Sequence, residues 1–517
     1  MLGAITKYYY TIRDLKWIQI VYQIRYKLLK PRFKSLEYPG ILNSLSFEIK
    51  TPSVPIVTNS SIFTFLNLEK TFGDKIDWAF KDFGLLWNYN LNYFDFLHQD
   101  DVDKDHKLDF ISSFIEGEGA NFDPYPTSVR LINWILLVSK NEVEDRKVID
   151  SIYSQARHLS RFLEYHLLGN HLLENGFALL FAAYYLSEDR FYHKAKSIIH
   201  AELEEQILKD GAHFERSPMY HKIMLFRIMQ TIDLIRKNGR FVDEQDLLET
   251  LENKAKMMLG WLTHMTFENG DFGRFNDSAG GIAVETAYLF ELAQKLSIPI
   301  QHSPLSDSGY RKFRGTCFEG IMDVGSLEPK YIPGHAHADI AHFVVHYKKQ
   351  PFIVDRGVST YEKNEVRHNE RSTNAHNTVV VAGHNQSNIW GGFRVAQKAE
   401  VCDFKEQMNE TIVSHDGYKW LGANHERRFQ WTSKCLTIKD RVSGVEDNVA
   451  YFHFYPTVEL SKVGTRIMAD DCKIEIAFAR LITIEDYDYA VGFNKKVSGK
   501  RLCISFTDHL TTKLIFE

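Results

Sequence analysis

Between about residues 125 and 297, apolar side chains recur at three- and four-residue intervals broken by short polar stretches, the spacing that lays one apolar stripe along an α-helix. The pattern predicts helices over 128–139, 148–168, 171–186, 191–208, 219–237 and 244–266. Connections this short pair consecutive helices antiparallel. Upstream, Trp78, Trp87, Tyr89, Tyr93 and Phe94 make an aromatic-rich entry. After the polar stretch 298–310 the period falls to two, the repeat of a strand, and predicts strands over 342–346, 351–355, 377–381, 427–438, 450–455, 473–477 and 502–506. An α-helical toroid followed by a β-sandwich, with the boundary near 300, accounts for the switch.

Residues 5–34 carry a different pattern. Tyr8, Leu15, Ile18, Val21, Ile24 and Leu28 alternate with Lys7, Arg13, Lys16, Arg25, Lys27, Lys30, Arg32 and Lys34, and Asp14 is the one acid. A basic amphipathic helix of this kind is expected either to lie on an anionic membrane surface or to pack on the protein with its basic face in water. The segment lacks the short apolar core and cleavage site of a secretory signal, and no run of about 18 apolar residues offers a membrane span. The expected location is the cytoplasm or the inner face of the membrane, with the cell envelope as the alternative.

Composition narrows the function classes. A chain of 517 residues calls for two large domains or three smaller ones. The net charge of −5 argues against a nucleic-acid protein. Cys317, Cys402, Cys435, Cys472 and Cys503 are odd in number and contain no C-x-x-C, so most are expected as buried thiols rather than disulfides or metal ligands.

Chemistry concentrates in two places. In PGHAHAD an extended backbone puts His335, His337 and Asp339 on one face, while Asp355 ends one predicted strand and His376 precedes another. Two imidazoles and a carboxylate from neighbouring strand ends form a normal zinc set, although histidine pairs also arise by chance among 22 histidines. In the helical half, Asn170 and His171 occupy a helix break ahead of Glu174 and Asn175, and Tyr220 follows Pro218 in a helix start. Read from the residues alone, the favoured reading is a helix cap for Asn170 and a buried, satisfied tyrosine for Tyr220.

GNHLLENG, DGAHFERSPMYH, GHAHADIAHF, VDRGVSTY and RSTNAHNTVVV, in this order and spacing, resemble the successive motifs of the heparinase II/III superfamily of polysaccharide lyases and the related alginate and oligoalginate lyases. The resemblance runs over roughly 60–440. It implies an incomplete (α/α) toroid and an antiparallel β-sandwich, a multidomain α+β chain divided here as a lead-in over 1–60, the toroid over 61–300 and the sandwich over 301–517. It further implies Tyr220 and His335 as the acid/base pair, Asn170 and His171 as contacts to a substrate carboxyl group, and His337, Asp355 and His376 as ligands of a divalent metal, zinc or in some relatives calcium. Tyr361 is a further active-site candidate, and Arg216, Arg274, Arg356, Arg371 and Arg394 are candidates to draw a polyanion into the cleft.

The implied activity is a carbon–oxygen lyase that cleaves a uronic-acid polysaccharide such as a glycosaminoglycan, alginate or exopolysaccharide by β-elimination. Two rivals remain on the sequence. One is a metal-assisted glycoside hydrolase, for which Glu174 and Glu215 could supply the carboxylate pair. The other is a non-catalytic polysaccharide-binding or assembly protein.

Overall fold

Helices begin where side chains can cap them. Asp145 accepts hydrogen bonds from the backbone of Lys147 and Val148 to open Arg146–Leu159, and Ser217 accepts one from Tyr220 to open Pro218–Asn238. The computed structural model describes residues 2–517 apart from 30, 54, 59, 60, 74, 118, 464 and 465, so Lys30 of the basic segment lies outside the described residues. Among the described residues eleven α-helices, from Leu2–Ile12 (α1) and Trp17–Leu28 (α2) to Thr286–Lys295, precede the strand Tyr310–Arg314, with a three-stranded sheet over 57–71 between them. Gly169–Leu186 is apolar on nearly every face because Pro124–Lys140, Arg146–Leu159, Asp189–Gln206 and Pro218–Asn238 all pack on it. The result is an incomplete (α/α) toroid.

The predicted helix over 148–168 stops at Leu159. Beyond it Asn175 accepts a hydrogen bond from the backbone N–H of Glu164, and Leu163 gives its carbonyl to Tyr26, so side chains take over backbone groups that a longer helix would pair.

The β-region holds a ten-stranded and a four-stranded sheet, with antiparallel pairing throughout the described strands, packed as a sandwich around Phe343, Ile353, Phe452 and Ile504. The single strand expected over 427–438 is two, Asn424–Trp431 and Cys435–Ser443, turned at 432–434. The short runs at 473–477 and 502–506 belong to one long hairpin, Cys472–Gly492 with Lys495–Ile515. Its tip reaches back to the helical half. Asn494 donates to the carbonyl of Leu66 (3.0 Å) and Asn67 donates to that of Phe493 (2.8 Å), a reciprocal clasp.

The cysteines are unpaired, and the expectation of mostly buried thiols holds only for Cys472 and Cys503, since Cys402 is exposed and Cys317 and Cys435 are half-buried. No described helix is long and apolar enough to cross a membrane.

Candidate active site

The helix start that presents Tyr220 is tied to its surroundings through Ser217, whose hydroxyl donates to the carbonyl of Asp277 (2.6 Å). Tyr220 lies against His335, with ring centroids 4.0 Å apart, and its hydroxyl is 3.3 Å from that of Tyr361. Three of the expected residues thus meet at the junction of toroid and sandwich. Burial, then the neighbouring Tyr361, push the Tyr220 phenol well above its ordinary value, so it holds its proton.

Asp277, which the sequence reading passed over, organises the histidine side. Its carboxylate meets His335 Nδ1 at 2.8 Å and His337 Nε2 at 2.9 Å, and Arg367 grips both of its oxygens. Burial alone would raise this carboxyl, but Arg367 and the two imidazoles hold it well below the carboxylate range. An ionised acceptor at Nδ1 assigns a proton there, and the other ring nitrogen, Nε2, turns toward Glu215. One signal was available: the stretch between the helices Glu244–Met265 and Thr286–Lys295 is long for a helix connection, and such loops tend to carry function.

Across the cleft, the left-handed Gly169 starts the next helix beside Glu215. A Cβ there would lie 2.7 Å from Glu215 Oε1, so a side chain at this position would displace the carboxylate. Asn170, expected to face a substrate carboxyl group, instead donates from its buried amide to both Glu215 oxygens at 2.9 Å. Glu215 Oε2 is in turn 3.7 Å from His335 Nε2. His171 is the more open of the two. Its Nδ1 meets Glu164 at 3.0 Å, its ring lies against Tyr125, and although burial opposes the charged form, Glu164 raises its pKa. The carboxylate pair suggested by the hydrolase reading does not face one space, because Glu174 is buried in an ion pair with Arg227 at 2.8 Å.

The arginines are mostly engaged elsewhere. Arg371 is fully buried and donates to the carbonyls of Pro333, Ala336 and Gly392, so it braces the loop that carries His335 and cannot meet an anion. Arg216 donates from both terminal nitrogens to the carbonyls of Ser326 and Asp307, whereas Arg274 and Arg356 each give one hydrogen bond, to the carbonyls of Ala490 and Asp488. Arg394 stays exposed, lying over Trp390.

Behind His337 lies the candidate metal centre. Ligand atoms of His342, Asp355 and His376 all lie within 4.8 Å of one another and are buried. Of the set expected from the sequence, Asp355 and His376 belong to this group. His337 turns Nε2 to Asp277, and its ring lies 5.2 Å from that of His376 with Nδ1 unpartnered. His342 joins because Asn377 N–H donates to its Nδ1, leaving Nε2 3.1 Å from Asp355. Nε2 of His342 and of His376 have no hydrogen-bond partner, as expected of a donor set shaped for a cation. Burial opposes ionisation of Asp355, yet His376 and His342 hold it well below the carboxylate range.

The family model for the heparinase II/III N-terminus matches residues 133–293, and that for the heparinase II/III-like C-terminal part matches 299–514. The chain is 23% identical over 323 residues to a heparin-sulfate lyase of Pedobacter heparinus, covering 57% of this chain and 47% of that protein. It is 24% identical over 303 residues to the FtsZ-localized protein C of Caulobacter vibrioides, covering 56% of this chain and 51% of that one. The chain thus spans about half the length of the curated relatives it matches. The crystal structure of heparinase III shares its fold with a TM-score of 0.69 at 15% identity, over 96% of this chain and 89% of the other. With both the N- and C-terminal models matched across the toroid and the sandwich, this chain belongs to the heparinase II/III-like family.

Proposed function

We propose that the protein is a polysaccharide lyase that cleaves a uronic-acid-containing chain by β-elimination. The observation that carries this reading is the meeting of Tyr220 and His335, one phenol held neutral and one imidazole anchored through Nδ1 by Asp277. His171 neutralises the uronate carboxylate, which acidifies the hydrogen on C5. Asn170 adds a second donor by exchanging the Glu215 carboxylate for that of the substrate. His335 Nε2 removes the C5 proton, the C5–H electron pair forms the C4–C5 double bond, and the bond from C4 to the glycosidic oxygen breaks as Tyr220 protonates that oxygen. No water is consumed. Tyr361, 3.3 Å from the Tyr220 hydroxyl, orients that phenol.

His342, Asp355 and His376 would hold a divalent cation, with zinc suited to the nitrogen-rich donors. When bound, it supplies positive charge and a cross-link between strand ends behind the histidine loop. The polymer is a glycosaminoglycan, an alginate or a capsular or exopolysaccharide, handled on the cytoplasmic side or at the inner membrane face. Incubation of the purified protein with heparan sulfate, hyaluronan, alginate and capsular polysaccharides, followed by ultraviolet absorbance of an unsaturated uronate, tests the reading. Hydrolytic products without a double bond would replace it by the hydrolase.

A second reading, an assembly protein without catalysis, draws on the relative named for its localisation with FtsZ. It predicts polysaccharide or protein binding with no unsaturated product from any of these polymers.

A further inference from the structure

The second N-terminal helix, α2, is built inside out. In α2 the residues facing the body are Gln19, Tyr22 and Tyr26, whereas Trp17, Val21, Ile24 and Leu28 point outward. Their spacing of four, three and four makes one continuous stripe on a helix. A helix docked on a water-soluble surface turns its apolar face inward. Here the inner face is held by two tyrosine rings, Tyr22 against Tyr165 and Tyr26 against Phe162, and by polar contacts. Tyr26 donates to the carbonyl of Leu163 (2.7 Å) and Gln19 to that of Leu167 (3.2 Å). Trp390 donates to Thr11 (3.1 Å), and Lys398 pairs with Asp14 (2.6 Å). The pair of helices is therefore fixed to both toroid and sandwich with its orientation set.

Nine of the chain's exposed large apolar side chains fall between Tyr8 and Leu29, which makes this a patch rather than a scatter. The same segment exposes the cations Arg13, Arg25 and Lys27, and Arg32 and Lys34 follow just beyond α2. The acid of the segment, Asp14, is already neutralised by Arg13 and Lys398. This local balance opposes the net charge of −5 of the whole chain. Apolar side chains accompanied by cations, with Trp17, Tyr8 and Tyr9 as amphipathic rings, complement an interface of acyl chains below anionic headgroups.

We propose that α1 and α2 dock the protein on an anionic bilayer surface. Docking has a consequence for the site that rests on the lyase reading. α1 touches Trp390, whose ring lies 5.2 Å from that of Tyr8, and the same short segment carries Phe393, 6.0 Å from His335. The rim of the cleft thus sits beside the lipid-facing patch, which suits a polysaccharide tethered to or emerging at the membrane.

The full-length protein is tested by co-sedimentation with vesicles of phosphatidylcholine alone and of equal parts phosphatidylcholine and phosphatidylglycerol. It binds the mixed vesicles, binding weakens as salt is raised, and Val21→Glu/Ile24→Glu, both exposed, lowers it at least about tenfold. Val242→Glu, an exposed apolar site elsewhere, leaves it unchanged. Equal binding to both vesicle types, or equal binding by the Val21→Glu/Ile24→Glu variant, overturns the proposal. So does absence of vesicle binding together with a dimer that this variant converts to monomer, which would make the patch a contact between two copies. Turnover of a soluble oligosaccharide is unaffected by Val21→Glu/Ile24→Glu, so lack of turnover in the unmodified protein counts against the lyase reading and leaves the vesicle result standing.

Discussion

Two buried assemblies in this molecule use the same parts. In one, Asp277 is gripped by Arg367 and accepts from His335 and His337. In the other, Asp440 is gripped by Arg427 (2.7 and 3.1 Å) and meets His425 at 2.8 Å, which meets His415 at 3.0 Å. Strand register builds the second directly, because His415 lies opposite His425 and Arg427 opposite Asp440 on adjacent antiparallel strands. The difference lies at the end of the chain of hydrogen bonds. His335 keeps an edge in the cleft against Tyr220, whereas His415 is fully buried and accepts from the backbone N–H of Gly417. Access, more than the titratable groups themselves, separates a candidate catalyst from a strut. Arg427 also donates to the carbonyls of Ala341 and Asn377, the neighbours of His342 and His376, so the strut supports the metal centre from behind.

The largest effect is expected at Tyr220. Tyr220→Phe keeps the ring and its packing, so turnover should fall ~10²–10⁴-fold with little change in melting temperature. Near-normal formation of unsaturated uronate would remove Tyr220 from the mechanism. Asp440→Asn is the opposite test. It leaves the Arg427 charge buried with its partner lost and should cost about 3–5 kcal/mol in urea unfolding, while turnover per folded molecule is unchanged. A fall in turnover with the fold intact would show that the second assembly is more than a strut.

Removing the metal comes next. Protein purified without added metal should contain a divalent ion by elemental analysis, and chelation should lower stability by roughly 3 kcal/mol if free metal had stood about a hundredfold above its dissociation constant. Folded protein free of metal and indifferent to chelator would contradict the assignment to His342, Asp355 and His376.

The smallest effect is on acid stability. Burial opposes ionisation of Asp440, but Arg427 and His425 hold its folded value at about 2. Because that lies below the unfolded value of about 3.9, the stabilisation is present above pH ~4 and is lost as pH falls toward ~2, a change of roughly 2–3 kcal/mol. Asp440→Asn should flatten that part of the stability profile. An unchanged acid limb would assign the loss to other carboxylates.

Tyr220, His335, Asp355 and His376 were legible because each sits in a short motif, such as SPMYH or GHAHAD, that resembles the family's. Asp277 and Arg367 were not, since they lie 58 and 90 residues from His335 and from Asp277 respectively and meet only when toroid and sandwich close on each other. His342 was read as the first residue of a strand, and its approach to Asp355 depends on the cross-strand arrangement that period-two patterning leaves open. Arg371 and Arg216 show the converse error. A guanidinium near the motifs suggested an anion contact, but backbone carbonyls exposed by irregular loops claimed the donors first. The fold class followed from the change of period, while the hairpin Cys472–Ile515 was underestimated because its exposed half alternates weakly.

The asparagine clasp between the 66–67 turn and the 493–494 turn bears on how the cleft comes into being. Its partners are separated by 426 and 428 positions, so this wall of the cleft cannot form until the last strands have been made and paired. A helical half released from the ribosome can bury its own core well before then, but the Tyr361 side of the reaction chamber, against which Phe493 packs, is completed by the final hairpin. Loop-closure entropy makes such a contact slow to find. Competence would therefore lag behind helix formation during refolding, and a chain cut within that hairpin would retain helical circular dichroism while lacking a closed chamber.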